Sequence, residues 1–364
     1  MRLKDITTAL NEIAPLSLQE SYDNAGLITG DPEMEITGAL LCLDSTEEVI
    51  DEAIRKDVNL VIAHHPIVFA GLKSLTGKNY IERTIITAIK NDIAIYAAHT
   101  NLDNVSHGVN NKIADRLQLQ NREILQPVKG SLRKLAVFVP NDHVEQVQNA
   151  VFKAGGGTIG DYSECSFNLQ GTGTFKAGEG SDPFVGDKGK RHKEAETRVE
   201  VEFEKSKQSQ ILAAMQKAHP YEEVAYDIYE LQNTNPQIGA GMVGRTTQHY
   251  SWKEFLELVK ANMNVEVVRH TKPAGEIIEK VAVCGGSGSF LLPQAIAAGA
   301  DVFITGDFKY HQFFDAEDKI MIADIGHYES EQFTIELLGE LLKQKFPTFA
   351  LHFTDVNTNP INYF

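Results

Sequence analysis

Cysteine is scarce in this chain. The 364 residues include only Cys42, Cys165 and Cys284, which are odd in number and far apart. None of them forms a pair at the spacing that zinc ribbons or redox motifs use. We therefore expect a reducing compartment. A serine nucleophile elbow and a cysteine with an evident histidine partner are also missing, which argues against covalent catalysis.

Long hydrophobic runs are absent too. No stretch approaches the roughly 18 uncharged apolar residues that a membrane helix needs, and residues 1–5 are not followed by an apolar segment. We expect a cytoplasmic protein without a membrane segment or a targeting signal.

Positive charge is in short supply. The chain has 34 basic and 50 acidic residues, which gives a formal net charge of −16. Such a surface repels phosphate backbones, so we do not expect nucleic acid as a partner. An anionic substrate would need a local positive centre, and a bound divalent metal would supply one.

What the chain does contain is enough apolar sequence for more than one core. Its hydrophobic content is 42% and its charged content 23%, values near those of soluble globular proteins, which excludes wholesale disorder. The chain is longer than the size at which a single hydrophobic core usually stops growing, so we expect two or three domains.

Two segments repeat the same order of predicted elements. Residues 39–66 and residues 281–311 each give a strand, a helix and a second strand. A further apolar strand follows each repeat, over residues 93–97 and 320–323, and leads into a histidine and a carboxylate four residues apart. Because α/β folds bind ligands beyond the carboxyl ends of parallel strands, we predict two related α/β lobes that face each other across a metal-binding cleft.

The pattern changes between these lobes. Residues 131–231 give strand, helix and strand twice, which suggests a ferredoxin-like α+β insert. Residues 1–128 and 235–364 would then form one discontinuous core. Within the insert, residues 171–189 hold six glycines among polar residues, which is typical of a mobile loop.

Residues with metal-binding side chains follow three of the predicted strands, and Asp307 follows a fourth. The candidate ligands are His64, His65, Asp103, His327 and Glu331. Imidazole nitrogen and carboxylate oxygen together suit zinc, manganese, iron or cobalt, and a carboxylate flanked by histidines can bridge two ions. Adjacent residues at a strand end point in different directions, so His64 and His65 can bind different ions while Asp103 or Glu331 bridges them. We predict a dinuclear divalent-metal site.

Structural interpretations compete with this one. A His-His-Pro sequence after a strand also forms capped turns, but the convergence of four strand ends on histidine and acid residues favours the metal site. His99, Asp307 and His311 are candidates for ligand orientation, for general acid or base catalysis, or for ordinary loop hydrogen bonding.

Two further motifs have structural interpretations. The sequence Gly285-Gly286-Ser287-Gly288 lacks the ending of a Walker loop, so we interpret it as a tight strand-to-helix turn. The sequence His219-Pro220-Tyr221-Glu222-Glu223 is interpreted as an X-Pro turn that enters a strand.

Five motifs occur in order along nearly the whole chain. They are Tyr22-Asp23-Asn24-Ala25-Gly26-Leu27, Ala63-His64-His65-Pro66, His99-Thr100-Asn101-Leu102-Asp103, Thr305-Gly306-Asp307 and Gly326-His327-Tyr328-x-x-Glu331. Together they resemble the Nif-three-like family, whose members are often described as GTP cyclohydrolase type two homologues.

The resemblance implies a centre of two divalent ions per subunit, often zinc, whose ligands fall on the five residues chosen above. It also implies that the insert is PII-like or CutA-like, and that subunits form a ring-shaped homohexamer with metal sites facing an internal cavity. For opening of a purine ring, His99 is the candidate acid or base.

Two functions from different classes follow. The first is a metal-dependent hydrolase that acts on a nucleotide or a related small polar molecule, with the glycine-rich insert loop controlling access. The second is a metal-bearing regulatory or scaffold ring whose insert binds a small ligand or a protein partner. The sequence leaves open whether the protein is an enzyme.

Overall fold

The computed structural model describes residues 1–364 and divides into two compact units. Unit 1 consists of Met1–Pro127 and Pro236–Phe364, and unit 2 consists of Val128–Asn235. None of the helices combines the length and the apolar character that a bilayer crossing requires.

Unit 1 contains a five-stranded sheet in the order β1-β4-β3-β2-β15. Its strands are β1 (Gly26–Thr29), β2 (Ala39–Asp44), β3 (Leu60–His65), β4 (Ala94–Ala97) and β15 (Leu351–Phe353). All neighbours pair in parallel except β1, which is antiparallel to β4. The central strands are continuous apolar runs because both of their faces are buried.

A six-stranded sheet forms the other half of unit 1, in the order β11-β14-β13-β12-β10-β5. Its strands are β5 (Gln120–Pro127), β10 (Gly239–Ser251), β11 (Arg269–His270), β12 (Ile277–Ser287), β13 (Val302–Gly306) and β14 (Met321–Asp324). Strands β12, β13 and β14 are parallel, and the outer strands are antiparallel. The parallel trio β12-β13-β14 matches the trio β2-β3-β4 of the first sheet, as the repeat predicted.

The helices of unit 1 cover these sheets. They are α1 (Leu3–Ile13), α2 (Glu47–Arg55), α3 (Tyr80–Lys90), α4 (Thr100–Asp103), α5 (Val109–Arg116), α8 (Trp252–Met263), α9 (Leu292–Ala297), α10 (His327–Glu331) and α11 (Thr334–Lys345). Short 3-10 turns cover Leu16–Leu18, Ser289–Leu291 and Tyr310–Ala316. The start of α8 is set by Ser251 and Glu254, whose side chains satisfy each other's backbone N–H groups in a capping box.

Unit 2 contains a four-stranded antiparallel sheet in the order β7-β8-β6-β9. Its elements are β6 (Leu132–Pro140), α6 (Val144–Lys153), β7 (Phe167–Lys176), β8 (Arg191–Glu204), α7 (Gln208–Ala218) and β9 (Tyr226–Glu230), with 3-10 turns at Asn141–His143 and Lys205–Lys207. Odd-numbered residues of β8, such as Val199 and Val201, pack with Val147 of α6 and Ile211 of α7 in one core.

The glycine-rich segment differs from the prediction. Residues 171–176 belong to strand β7 rather than to a loop. Gly173 of this strand lies beside Glu196 of β8, and a Cβ atom at position 173 would be 2.1 Å from a carboxylate oxygen of Glu196. At least this glycine therefore leaves room for a neighbouring side chain, a role that composition does not reveal.

Candidate metal centre

His64 and His65 are the last two residues of β3, and their side chains leave the strand on opposite faces. His64 is fully buried, and its Nδ1 donates to the carbonyl oxygen of Ala98 at 2.7 Å. His65 is half-buried, and its Nδ1 lies 2.8 Å from Oδ1 of Asp44, its neighbour on β2. In both rings the Nδ1 contact leaves Nε2 free to bind elsewhere.

His327 and Glu331 come from α10, which follows β14 of the other sheet. Their spacing of four residues brings them to one side of the helix, with His327 Nε2 3.2 Å from Glu331 Oε2. His327 Nδ1 lies 2.8 Å from Oδ2 of Asp307. Asp307 has a φ of 58°, a left-handed conformation that is uncommon for residues other than glycine.

The carboxylate of Glu331 joins the two halves of the centre. One oxygen, Oε2, lies 3.0 Å from His65 Nε2, and the other, Oε1, lies 3.6 Å from His64 Nε2. The Nε2 atoms of His65 and His327 are 3.3 Å apart. The ligand atoms of His64, His65 and Glu331 all lie within 4.8 Å of one another.

Asp103, at the end of α4, completes the set. Its Oδ1 lies 3.8 Å from His64 Nε2. Both of these atoms are buried and have no hydrogen-bond partner. An unsatisfied imidazole nitrogen beside an unsatisfied carboxylate oxygen is costly unless a further group binds both. The residues present therefore fit a bound divalent cation, whose preferred donors in such sites are these same atom types.

Each of the three histidines makes a hydrogen bond at Nδ1. Metal-ligating histidines are usually oriented in this way, by a hydrogen bond at the ring nitrogen that does not bind the metal. The partners are a carbonyl for His64 and carboxylates for His65 and His327. Asp44 is fixed in turn by Thr358 of the C-terminal segment, whose hydroxyl donates to Oδ2 at 2.6 Å.

Gly286 makes room for the carboxylate of Glu331. A Cβ atom at this position would be 2.4 Å from Glu331 Oε1, and the φ of Gly286 is +62°, which disfavours any other residue. The glycine sequence that ends β12 thus has a role at the centre beyond that of a turn.

His99 lies next to the five candidate ligands. Its ring centroid is 5.4 Å from those of His64 and His65. Its Nδ1 is 2.7 Å from Oδ1 of Asp23, whose side chain is buried and also accepts the backbone N–H and the hydroxyl of Thr100. Burial opposes the charge on Asp23, but the hydrogen bonds from His99 and Thr100 prevail and lower its pKa to about 2.

The electrostatics of the centre favour positive charge. Burial disfavours a charged imidazole, but hydrogen bonds with Asp44 and Glu331 outweigh it and raise the pKa of His65 to about 10. The same balance, with Glu331 and Asp307, raises the pKa of His327 to about 9. Burial, together with the Glu331 charge, raises the pKa of Asp103 to about 8.

These groups open into a pocket of about 560 Å³ within unit 1. Its walls include the rings of Tyr22, Phe69 and Phe290, and Asn359 and Ile361 from the C-terminal segment. A cavity of this size, with convergent polar groups at one end, is typical of a small-molecule site.

The structure brings together the five candidate ligands and His99 at this pocket. Asp307 contacts His327 as an orienting residue, whereas His311 is exposed and packs its ring near Tyr310 and Phe314. Sequence reasoning did not identify Asp44 or Thr358 as part of the site. Asp44 could have been found as the last residue of a strand next to β3, but nothing in the sequence of the C-terminal segment indicates its position.

Comparison with known proteins gives the family. Residues 1–360 match the family model Duf34/NIF3 (NGG1p interacting factor 3). The chain belongs to this family. Proteins named GTP cyclohydrolase 1 type 2 homolog from Halalkalibacterium halodurans and Bacillus subtilis are 41% and 39% identical to it, over 96% and 99% of this chain and 95% and 98% of theirs. The crystal structure of a Bacillus cereus protein related to NIF3 is 37% identical, covers 100% of this chain and 99% of its own, and superimposes with a TM-score of 0.87.

Proposed function

We propose that this NIF3-family protein is a dinuclear-metal hydrolase that acts on a nucleotide or a related small polar substrate. The observation that carries the proposal is the shared geometry of the ligands. Three histidines fixed at Nδ1 direct Nε2 toward the Glu331 carboxylate, beside the unpartnered Oδ1 of Asp103. His64, His65, Asp103, His327 and Glu331 would hold two divalent ions, with zinc as the first choice and manganese, iron and cobalt as the other cations these donors accept.

Two divalent cations bound in this way would lower the pKa of a coordinated water toward about 7 and would polarise the substrate. Both effects promote hydrolysis. The chain itself contributes the proton-handling group. His99 Nδ1 is held by the Asp23 carboxylate, so the opposite nitrogen, Nε2, is the one available to take up or release a proton at the pocket. The aromatic rings of Tyr22 and Phe69, 6.2 Å apart, form an apolar wall suited to the flat face of a base.

The name carried by the curated relatives makes GTP the first substrate to test. A cytoplasmic location, a toroidal homohexamer and a ferredoxin-like insert of the PII or CutA type are further parts of the proposal. The strand order β7-β8-β6-β9, with both helices packed on one face, supports the last of these.

The test is to load the purified protein with zinc, manganese, iron or cobalt, and to measure metal content and turnover of GTP and a nucleotide panel. His65→Ala and Asp103→Ala should lose metal and turnover together. His311→Ala is the matched control, because it removes an exposed histidine that does not line the pocket. Metal content that is unchanged in both ligand variants would overturn the proposal.

A second candidate is a regulatory or scaffold ring that binds a ligand through the insert. The presence of a separate cavity within unit 2 favours it. This function predicts that no nucleotide is turned over with any metal, while the ligand variants still lose the bound ions.

A further inference from the structure

Unit 2 contains a cavity of about 680 Å³ that the metal centre does not use. Phe138 of β6 and Glu196 and Arg198 of β8 line it. Since side chains alternate along a strand, Glu196 and Arg198 lie on the face of the sheet opposite to Val199 and Val201, which pack against the two helices. The cavity is therefore on the helix-free face, bounded by the segment after β7 and the turn before β9.

Aromatic rings form its walls. The ring of Tyr221 has its centroid 6.2 Å from that of Phe175 and 6.2 Å from that of Phe184. Phe184 is 52% exposed although it lies in the cavity wall, so part of its ring is free to contact a ligand. Three aromatic rings thus line one space, and the electron-rich face of an aromatic ring attracts a cation.

A nearly buried carboxylate lies among these rings. Glu196 is only 8% exposed, and its Oε1 accepts a hydrogen bond from the hydroxyl of Tyr221 at 2.9 Å. No lysine, arginine or histidine nitrogen lies within 4.0 Å of it. Its neighbours on the same face differ, because Glu194 pairs with His192 at 2.7 Å and Glu200 with Arg198 at 2.8 Å. A carboxylate so enclosed is costly without a counter-ion.

Neighbouring residues leave space for this carboxylate and position its hydrogen-bond donor. A Cβ atom at Gly173 would be 2.1 Å from Glu196 Oε2, so glycine leaves the space it needs. His219 donates from Nε2 to the carbonyl of Phe138 at 3.0 Å and accepts the N–H of Tyr221 on Nδ1 at 3.1 Å. The motif His219-Pro220-Tyr221-Glu222-Glu223 is thus more than a turn, because it positions the phenol that binds Glu196.

We propose that this cavity binds a small organic cation, an alkylammonium or guanidinium group, between the Glu196 carboxylate and the rings of Phe175, Phe184 and Tyr221. The carboxylate supplies a charge-assisted hydrogen bond or ion pair, and the rings supply cation–π attraction. Arg198 does not take this place, since its Nη2 is paired with Glu200 and none of its nitrogens lies within 4.0 Å of the Glu196 carboxylate. A hard metal ion fits less well, because it requires several oxygen ligands where the cavity offers rings.

The experiment uses the full-length, metal-loaded protein and compares choline with 3,3-dimethylbutan-1-ol, an uncharged molecule of the same shape. Butylammonium and butylguanidinium test the other cation types, and binding is followed by calorimetry and by ligand-observed NMR. Choline or one of the other cations should bind, and the alcohol should bind at least about tenfold more weakly, because it lacks the charge that Glu196 and the rings recognise.

Glu196→Gln should weaken cation binding by about tenfold or more, since it removes the charge and keeps the shape. Glu202→Gln is the matched control, because it removes one charge from the same face of the same strand outside the cavity. Phe184→Leu, in an exposed segment, should also weaken binding and is not expected to affect folding. Metal content and any turnover at the metal centre should be unchanged in all three variants.

Equal binding of choline and the alcohol, equal binding by Glu196→Gln and the wild type, or no binding of any of the cations would overturn the proposal. Binding of magnesium or zinc that depends on Glu196, without binding of the organic cations, would also overturn it. A blocked peptide with a central lysine or arginine distinguishes the source of the cation. If it binds as tightly as the free cations, the natural ligand is a side chain of a partner protein, and otherwise it is a free metabolite.

Discussion

His65 Nδ1 and Asp44 Oδ1 lie 2.8 Å apart across the neighbouring parallel strands β3 and β2, and the two residues are register partners in the sheet. Strand pairing therefore fixes the direction of His65 before any ion binds. Thr358 holds the other carboxylate oxygen, Oδ2, of Asp44 at 2.6 Å, so the C-terminal segment also helps to orient this ligand.

Asp44→Asn should weaken metal binding by about 10- to 100-fold, the usual effect of removing a carboxylate that orients a ligating histidine. The measurement is a competition titration with a chelator, with metal content by mass spectrometry. Asp51→Asn is the control, because Asp51 is an exposed residue of the nearby helix α2. An unchanged affinity in Asp44→Asn would mean that the hydrogen bond to Asp44 does not contribute to metal binding.

The sequence predicted the parts of the site that depend on strand ends. Apolar runs with abrupt polar endings identify His64 and Asp103, and the repeat of strand, helix and strand explains why two sheets each supply ligands. Asp307, which directly follows β13, was among the candidate orienting residues, but its partner was not predicted, and the same holds for Asp23 and the C-terminal segment. Their contacts with His327, His99 and Asp44 join residues 20, 76 and 314 positions apart along the chain, and local periodicity carries no information about such long-range contacts.

The glycines illustrate the same limit. Composition predicted a loop over residues 171–189, yet Gly173 lies in strand β7, where Glu196 occupies the space that a side chain at position 173 would need. Likewise Gly286 was interpreted as part of a turn, whereas its neighbour in space is the Glu331 carboxylate. A glycine that makes room for a side chain from a distant segment has the same sequence signal as one that makes a turn.

Gly286→Ala should therefore destabilise the fold and disturb the metal centre together. The positive φ alone costs about 1 to 2 kcal/mol for alanine, and the new Cβ would meet Glu331 Oε1 at 2.4 Å. Gly299→Ala separates the two effects, because Gly299 has a φ of +70° but nothing within 4 Å of its would-be Cβ. Denaturant unfolding and metal analysis should find the loss of stability in both variants and the loss of metal in Gly286→Ala alone. Full metal content in Gly286→Ala would contradict the steric role given to this glycine.

Glu82 provides a test of pH dependence away from the metal centre. The carboxylate at the start of α3 accepts N–H and hydroxyl bonds from Thr76 and an N–H bond from Lys78. Led by the backbone bond from Thr76, these contacts lower the pKa of Glu82 from 4.5 to about 2. A carboxyl whose pKa is lowered by folding stabilises the protein above its unfolded pKa, and that stability is lost as the pH falls through the folded value.

Glu82→Gln should thus lower Tm relative to the wild type at neutral pH, and the difference should shrink as the pH falls from 4.5 to about 2. Scanning calorimetry at a series of pH values measures this difference. Thr76→Val removes only the hydroxyl donor, so it should lose a smaller part of the same pH-dependent stability. A Tm difference that stays constant down to pH 2 would mean that the charged form of Glu82 is not what these bonds stabilise.

Asp23→Asn tests the role of His99. The buried carboxylate fixes Nδ1 of His99 as the protonated nitrogen, whereas an amide offers one acceptor fewer and can present a donor to the ring instead. If His99 transfers protons, turnover should fall by about 10²- to 10⁴-fold in Asp23→Asn, with metal content retained. His99→Gln should cause a similar loss, and the double variant should be little worse than either, since residues that act as one unit are not additive.

The same variant has a readout that requires no substrate. In nitrogen-15 NMR of the labelled protein, the His99 ring should change its tautomer in Asp23→Asn, while the signals of His219, which belongs to unit 2, should stay the same. Additive losses in the double variant, or a His99 tautomer that does not respond to Asp23, would place proton transfer on another group. In that case the short contact between Asp23 and His99 would serve only to anchor the start of α4, where Thr100 shares the same carboxylate.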